Sequence, residues 1–479
     1  MSVGCIGTRR LRAGLAVRRT SSGGRRLGRS CLGALAPALC LLLVPAPRLA
    51  AQARGPDAEA AAVREAFLHA WRGYERYAWG HDELLPLSRG ARDWYPASFV
   101  MTPVDAFDTM LLMGLTDEAA RAKALIIERL SFDRDFPVQV FEVTIRLLGG
   151  LISAYQMDGD PRFLALARDL GNRLLPAFES KTGMPYRYVN LHTGAVSGPE
   201  SNPAEIGTLM LELGTLSKLT SDARYYDAAK RAVTSLYGRR SRIGLVGSEI
   251  DVESGVWRGI DSHVGGGIDS YYEYLLKSWL LFGDQDFKRM WDSSVAAVNR
   301  YVADEAPTGY WYGYADMVTG GRSATRFGAL EAFFAAVLAR SGDTARAGRL
   351  MRSIFRMWTT FGVEPEEWNY ALMRPISPGY ELRPEAIESA YYLFRITGDE
   401  RYRDLGRVMV DSLLRYTRAE VGFAALRDVE TKQQRDRMES FFLAETLKYA
   451  FLLFAPPQTL DFDAVIFNTE AHPIRRTWP

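Results

Sequence analysis

The stretch 386-AIESAYYLFRITGDERYRDLGRVMVDSLLRY-416 decides the fold. An apolar run at helical spacing stops at Gly398, Asp399 follows, and a second helical pattern begins. Glycine ends one helix and aspartate can cap the next, so the unit is a helical hairpin. The same turn recurs in "MDGDPRF", "TSDARYY", "FGDQDFK" and "SGDTARA", with aspartates at Asp160, Asp222, Asp284 and Asp343. Successive separations up to Asp399 are 62, 62, 59 and 56 residues, a structural period. An earlier copy is read in Val104 to Ile126 and a last one in Met438 to Phe454, giving seven hairpins and an all-α chain.

Seven such pairs stack as an open solenoid or close into a ring. Carboxylates recur near the start of the first helix of each pair: Glu142, Glu205, Asp269 and Glu385 lie 18, 17, 15 and 14 residues before their turns. Asp105 and Glu439 hold comparable places in the end copies. In a closed toroid these helix starts converge at one end of the bore. The helix macrodipole explains an acid at any one helix start. It does not explain the apolar and aromatic settings "VFEVTIR" and "GIDSYYEY", which raise carboxyl pKa values as a general acid requires.

Of 479 residues, 47% are hydrophobic and 24% charged, the composition of one large folded domain or two ordinary ones. The net charge of +2 is concentrated in an arginine-rich start, and the remainder is mildly acidic, so no nucleic-acid partner is expected. That start reads as a leader over residues 1–53: a basic stretch, an apolar run from Cys31 to about Val44, and small residues up to Ala53. Export to the periplasm or medium is expected, with a single catalytic domain over 54–479 and no stable membrane span in the mature chain. An uncleaved signal anchor is the alternative. All three cysteines lie in the leader, which excludes thiol nucleophiles and zinc-thiolate sites from the domain.

Only five histidines occur, with no HExxH pair, no Walker loop and no nucleophile elbow. The glycine-rich "VGGGIDS" is read with no strand before it, which makes dinucleotide binding improbable. Carboxylates among aromatics remain, the equipment of glycoside hydrolysis.

The blocks "FLHAWRGYERYAWGHDELLPLS", "VDAFDTMLLMGL", "VFEVTIRLLGGLISAY", "GIDSYYEYLLKSW", "LRPEAIESAYYLFRITGD", "RMESFFLAETLKYAFLLF" and "FNTEAHP" resemble, in order, those of glycoside hydrolase family 47, the class I α1,2-mannosidases. The resemblance runs from about residue 65 to 473. "SRIGLVGSEIDVESGVW" and "VGFAALRDVET" are most similar to the ER degradation-enhancing α-mannosidase-like branch, and the leader and missing cysteines look more bacterial than eukaryotic. The resemblance implies an (α/α)7 barrel and a calcium-dependent, inverting exo-α1,2-mannosidase acting on mannose-containing oligosaccharides or glycoprotein glycans; a monomer is expected.

By the same resemblance, Glu142 and Asp269 are the two candidates for the general acid and Glu385 is the general base. Thr469 is the calcium ligand, through its hydroxyl and carbonyl. Arg146, Glu366, Glu388, Phe441, Glu445 and Glu470 bind sugar or line the site, and Glu439 is placed with them. Phe441 would be the platform under the sugar ring. The segment after Phe454 is expected to plug the bore, with Ile466 and Phe467 as its apolar anchor. Classical members have an arginine where Gly267 stands and a histidine followed by leucine where Ala329 and Leu330 stand, so branch preference is not carried over. The competing class is a mannoside-binding, lectin-like protein with little or no turnover, and a third reading is a toroid enzyme for another sugar.

Overall fold

Asp160, Asp222, Asp284, Asp343 and Asp399 are all N-cap residues, and each carboxylate accepts a backbone N–H two or three residues on. A cap of this kind contributes about 1 kcal/mol. Gly159, Gly283 and Gly398 end the preceding helices with φ of 84°, 72° and 68°, a left-handed conformation that glycine adopts without steric cost. The repeated Gly-Asp signal is therefore a stop followed by a start.

The computed structural model describes residues 55–478. The leader over residues 1–53 and its cysteines lie outside the described residues. Seven helical segments form an inner layer: Met101–Leu112, 140–158, Pro203–Gly207 continued after a two-residue turn by Met210–Thr220, Asp269–Phe282, 330–340, Glu385–Thr397 and 442–454. Each touches the next, and the last touches the first, so the ring is closed. Seven helices pack outside them: Pro56–Tyr77, Thr116–Arg129, Pro161–Leu174, Ala223–Tyr237, Gln285–Tyr301, Thr344–Phe361 and Glu400–Thr417. This is the (α/α)7 barrel. The inner helices lie between the outer layer and the filled bore and are apolar around most of their circumference, whereas the outer helices are apolar on one face.

The seventh pair differs from the other six. Among the described residues no helix of comparable length follows 442–454, and Pro56–Tyr77 from the start of the domain takes the outer place beside it. The two ends of the chain thus close the ring on each other.

The connections from outer to inner helices carry short antiparallel hairpins in two- and three-stranded sheets. Their strands are two to four residues long, too short for alternation to be legible in sequence. One of them, Asp261–Ser262, does precede "VGGGIDS". It pairs antiparallel with Tyr314–Asp316 instead of feeding a parallel βαβ unit, so the glycines do not form a dinucleotide-binding turn. Among the described residues no helix is long and apolar enough to cross a membrane.

Candidate active site

The C-terminal segment enters the bore as a hairpin in which Val465–Phe467 pairs with Pro473–Arg475. Phe467 is buried among Tyr391, Tyr392 and Tyr449, the expected apolar anchor. At the tip, Asn468 Oδ1 accepts the N–H groups of Glu470 and His472 at 3.0 and 2.8 Å, which folds the turn on itself. Ala471 there has φ of 58°, and its carbonyl is held by Lys448 Nζ at 2.7 Å. His472 Nδ1 lies 2.7 Å from Asp108 Oδ2 and its Nε2 lies 3.5 Å from Asp105 Oδ1. Burial opposes a charge on His472, but the two aspartates outweigh it and raise the imidazole to about 9. Asp108 stays at about 2 despite burial, held down by Lys448 and His472.

The inner helix 140–158 is built to receive this turn. A Cβ on Gly149 would lie 2.5 Å from Asn468 Nδ2, and one on Gly150 would lie 2.8 Å from Val104 Cγ1 and 3.3 Å from His472 Cε1. The pair "GG" therefore marks close approach of the plug. Just before it, Val143–Leu148 is a π-helical stretch, a local widening common at functional sites. A second one, Phe442–Thr446, carries Glu445. Arg146 bridges helix and plug: its Nε meets Glu142 Oε2 at 2.9 Å and an Nη meets Glu470 Oε2 at 2.7 Å. Its guanidinium lies between the Trp94 and Phe441 rings, at 5.1 and 5.8 Å.

A cavity of about 330 Å³ opens where six of the inner helices begin, with Thr469 and Glu470 of the plug in its lining. Eight carboxylates line it, from Glu142, Glu205, Asp269, Glu273, Glu385, Glu388, Glu445 and Glu470, against two guanidinium groups, Arg146 and Arg383. Burial pushes Asp269 up to about 7, and Glu273 and Glu331 add to it while Ser270 opposes. Burial carries Glu385 to about 8 against the pull of Arg383, and its Oε2 has no hydrogen-bond partner. Glu388 and Glu470 also stand at about 8, through burial opposed by Lys277 and Arg146 respectively. Glu445 is driven well above the carboxylate range by burial and then by Glu470 and Glu385.

Nine of the eleven residues expected at the site line this cavity: Glu142, Arg146, Asp269, Glu385, Glu388, Phe441, Glu445, Thr469 and Glu470. Glu366 stands behind it, with Oε2 3.1 Å from Arg383, and it is Arg383 that reaches the lining. Glu439 is also set back, paired with Arg437. Of the two departures, Gly267 lines the cavity with φ of 88°, and Leu330, not Ala329, does so on the opposite element. Glu273 and Arg383 were not singled out from sequence. Glu273 falls one helical turn after Asp269, so helical spacing was the available signal for it, whereas Arg383 precedes the helix that starts at Glu385 and had no such signal. Glu364 gave none: it is fully buried and both its carboxylate oxygens lack partners.

The donor set suits a hard cation. The carbonyl and hydroxyl oxygens of Thr469 receive no hydrogen bond from any described residue, whereas its N–H is donated to Tyr274 Oη at 3.2 Å. The cavity lining holds no imidazole or thiol. Among the described residues, no three acidic or imidazole side chains converge as a chelating cluster. A calcium ion would therefore be held by the two Thr469 oxygens, and water would link it to the surrounding carboxylates.

The family model described as glycosyl hydrolase family 47 matches residues 66–476. ER degradation-enhancing alpha-mannosidase-like protein 2 of Mus musculus is 38% identical over 447 residues, spanning 86% of this chain and 77% of that protein. Endoplasmic reticulum mannosyl-oligosaccharide 1,2-alpha-mannosidase of Homo sapiens is 37% identical over 444 residues, spanning 86% of this chain and 63% of that protein. Among solved structures, the alpha-1,2-mannosidase from Trichoderma reesei superposes with a TM-score of 0.82 at 28% identity, covering 88% of this chain and 99% of that one.

Proposed function

The chain belongs to glycosyl hydrolase family 47 and is a glycoside hydrolase, and we propose that it is a calcium-dependent, inverting exo-α1,2-mannosidase of high-mannose glycans or related mannosides. The observation that carries this reading is one cavity, floored by the plug, in which a half-buried acid without a cation partner among the described residues and a separate base candidate face the same space. A binding protein needs neither group. A cavity of about 330 Å³ is small for a ligand pocket, and with its floor filled it takes a chain end, not a chain passing through.

In the proposed reaction the terminal mannose rests against Phe441, whose ring is flanked by Arg146 and Arg383. Glu385 takes a proton from the attacking water as that water adds to the anomeric carbon. The glycosidic oxygen leaves with a proton from the opposite side. Of the two candidates for that donor, Glu142 is ion-paired to Arg146 whereas Asp269 has no cation partner among the described residues, which favours Asp269. Calcium, when bound at Thr469, supplies positive charge that favours the ionised form of the surrounding carboxylates and a hard contact for sugar hydroxyls. The basic-then-apolar pattern of residues 1–53 supports export of a single catalytic domain over 54–479.

Incubation with α1,2-linked mannobiose tests the reading. Mannose release that stops with chelator and returns with calcium is expected. Saturable binding without release at any calcium concentration would make the protein a mannoside-binding protein instead.

A further inference from the structure

We propose that Glu212 is a positioning residue of the cation site, acting on Thr469 through the hydroxyl of Tyr274. The inference rests on the reading of Thr469 as a calcium ligand. Glu212 lies within the inner helix Met210–Thr220, between Leu211 and Leu213, and is fully buried. Taking a carboxylate out of water costs several kcal/mol unless it is partnered. Here Oε1 accepts from Tyr274 Oη at 2.6 Å and from Asn468 Nδ2 at 2.9 Å.

The direction of these bonds matters. Tyr274 sits on the next inner helix, Asp269–Phe282, and its single hydroxyl proton is committed to Glu212. The tyrosine oxygen is therefore left as an acceptor, and it takes the Thr469 N–H at 3.2 Å. The same Glu212 oxygen accepts from Asn468 Nδ2, and Oδ1 of that amide folds the turn by accepting the Glu470 and His472 N–H groups. Two inner helices and the plug thus meet at one carboxylate oxygen. The result is a threonine whose N–H is occupied while its carbonyl and hydroxyl stay uncommitted. Glu212 does not line the cavity, so it reaches the cation site only through Tyr274 and Asn468. If Glu212 lost its acceptor, the Tyr274 hydroxyl could turn and donate elsewhere, and the threonine would lose its fixed orientation.

Calorimetric titration of calcium into the full chain tests this, with Tyr274→Phe, Glu212→Leu and Glu212→Gln as variants. Tyr274→Phe and Glu212→Leu are expected to weaken calcium binding about tenfold or more, as loss of an outer-shell partner does. Glu212→Gln keeps an amide oxygen that accepts both bonds and is expected to stay within about threefold of the parent. Melting in chelator reports whether each variant is folded, and saturating calcium is expected to restore kcat in the folded ones. Calcium affinity of Tyr274→Phe within about twofold of the parent would overturn the inference. So would Glu212→Gln falling as far as Glu212→Leu, which also decides the matter if Tyr274→Phe does not fold. If the parent binds no calcium, or Thr469→Ala binds it as the parent does, the calcium reading itself fails along with the inference. If Thr469→Ala alone loses calcium, only the positioning role falls.

Discussion

His472→Gln tests whether buried charge holds the plug in the bore. In the parent, the imidazole bonds to Asp108 at 2.7 Å and faces Asp105 at 3.5 Å, with Lys448 as the other cation on Asp108 among the described residues. Its rise from an ordinary 6.5 to about 9 corresponds to about 3 kcal/mol of folding free energy, at about 1.4 kcal/mol per pH unit. Breaking a buried pair by removing one partner costs a similar amount, about 3–5 kcal/mol. With an unfolding entropy of about 2.1 cal/mol/K per residue, a domain of this size loses roughly 4 °C of melting temperature. The pH dependence follows from the raised pKa. The contribution is complete below about pH 6.5 and is lost as pH rises through about 9, so the gap between parent and variant closes towards pH 10. Calorimetric melts of both proteins from pH 6 to 10 measure it. A gap that stays constant with pH, or widens, would refute the role given to the charged imidazole.

Three further outcomes are expected. Glu385→Gln should lower kcat by about 10²–10⁴ while mannoside binding survives, as loss of a general base does; an unchanged rate would remove Glu385 from that role. Gly149→Ala places a Cβ 2.5 Å from Asn468 Nδ2 and should cost about 1–3 kcal/mol by overpacking. Because the displaced turn carries Thr469, activity should fall further than a thermal melt suggests, and full activity would show that the turn tolerates movement. Deleting the chain from Ile466 should abolish mannose release and calcium binding together, measured by sugar assay and titration, and survival of either would separate the plug from the site.

The helical hairpins were legible because their signals are local: a glycine stop and an aspartate cap need only the residues on either side. Closure was suggested by the recurrence of acids at helix starts, and Glu142, Asp269 and Glu385 do share one cavity. The partner of the last inner helix was not legible, because Pro56–Tyr77 reaches it across almost the whole chain. Nor were the π-helical stretches, which depend on what the bore must accommodate. In the site, Glu385 and Glu388 lie one helical turn apart, so spacing carried their arrangement, whereas Arg383 precedes the helix and was not singled out. Glu366 needed three dimensions, since only the fold shows Arg383 between it and the cavity. Glu212 was hidden for the opposite reason. In "LMLELGTL" it reads as an ordinary helix acid, and only its bonds to Tyr274 and Asn468 give it a role.

The most direct test of the proposed chemistry is the anomeric form of the first mannose released from α1,2-linked mannobiose, followed by proton NMR before mutarotation. Attack by water activated at Glu385, opposite an acid on the leaving oxygen, requires β-mannose to appear first and the α-anomer to grow in later. Release of α-mannose first would contradict the inverting arrangement of acid and base.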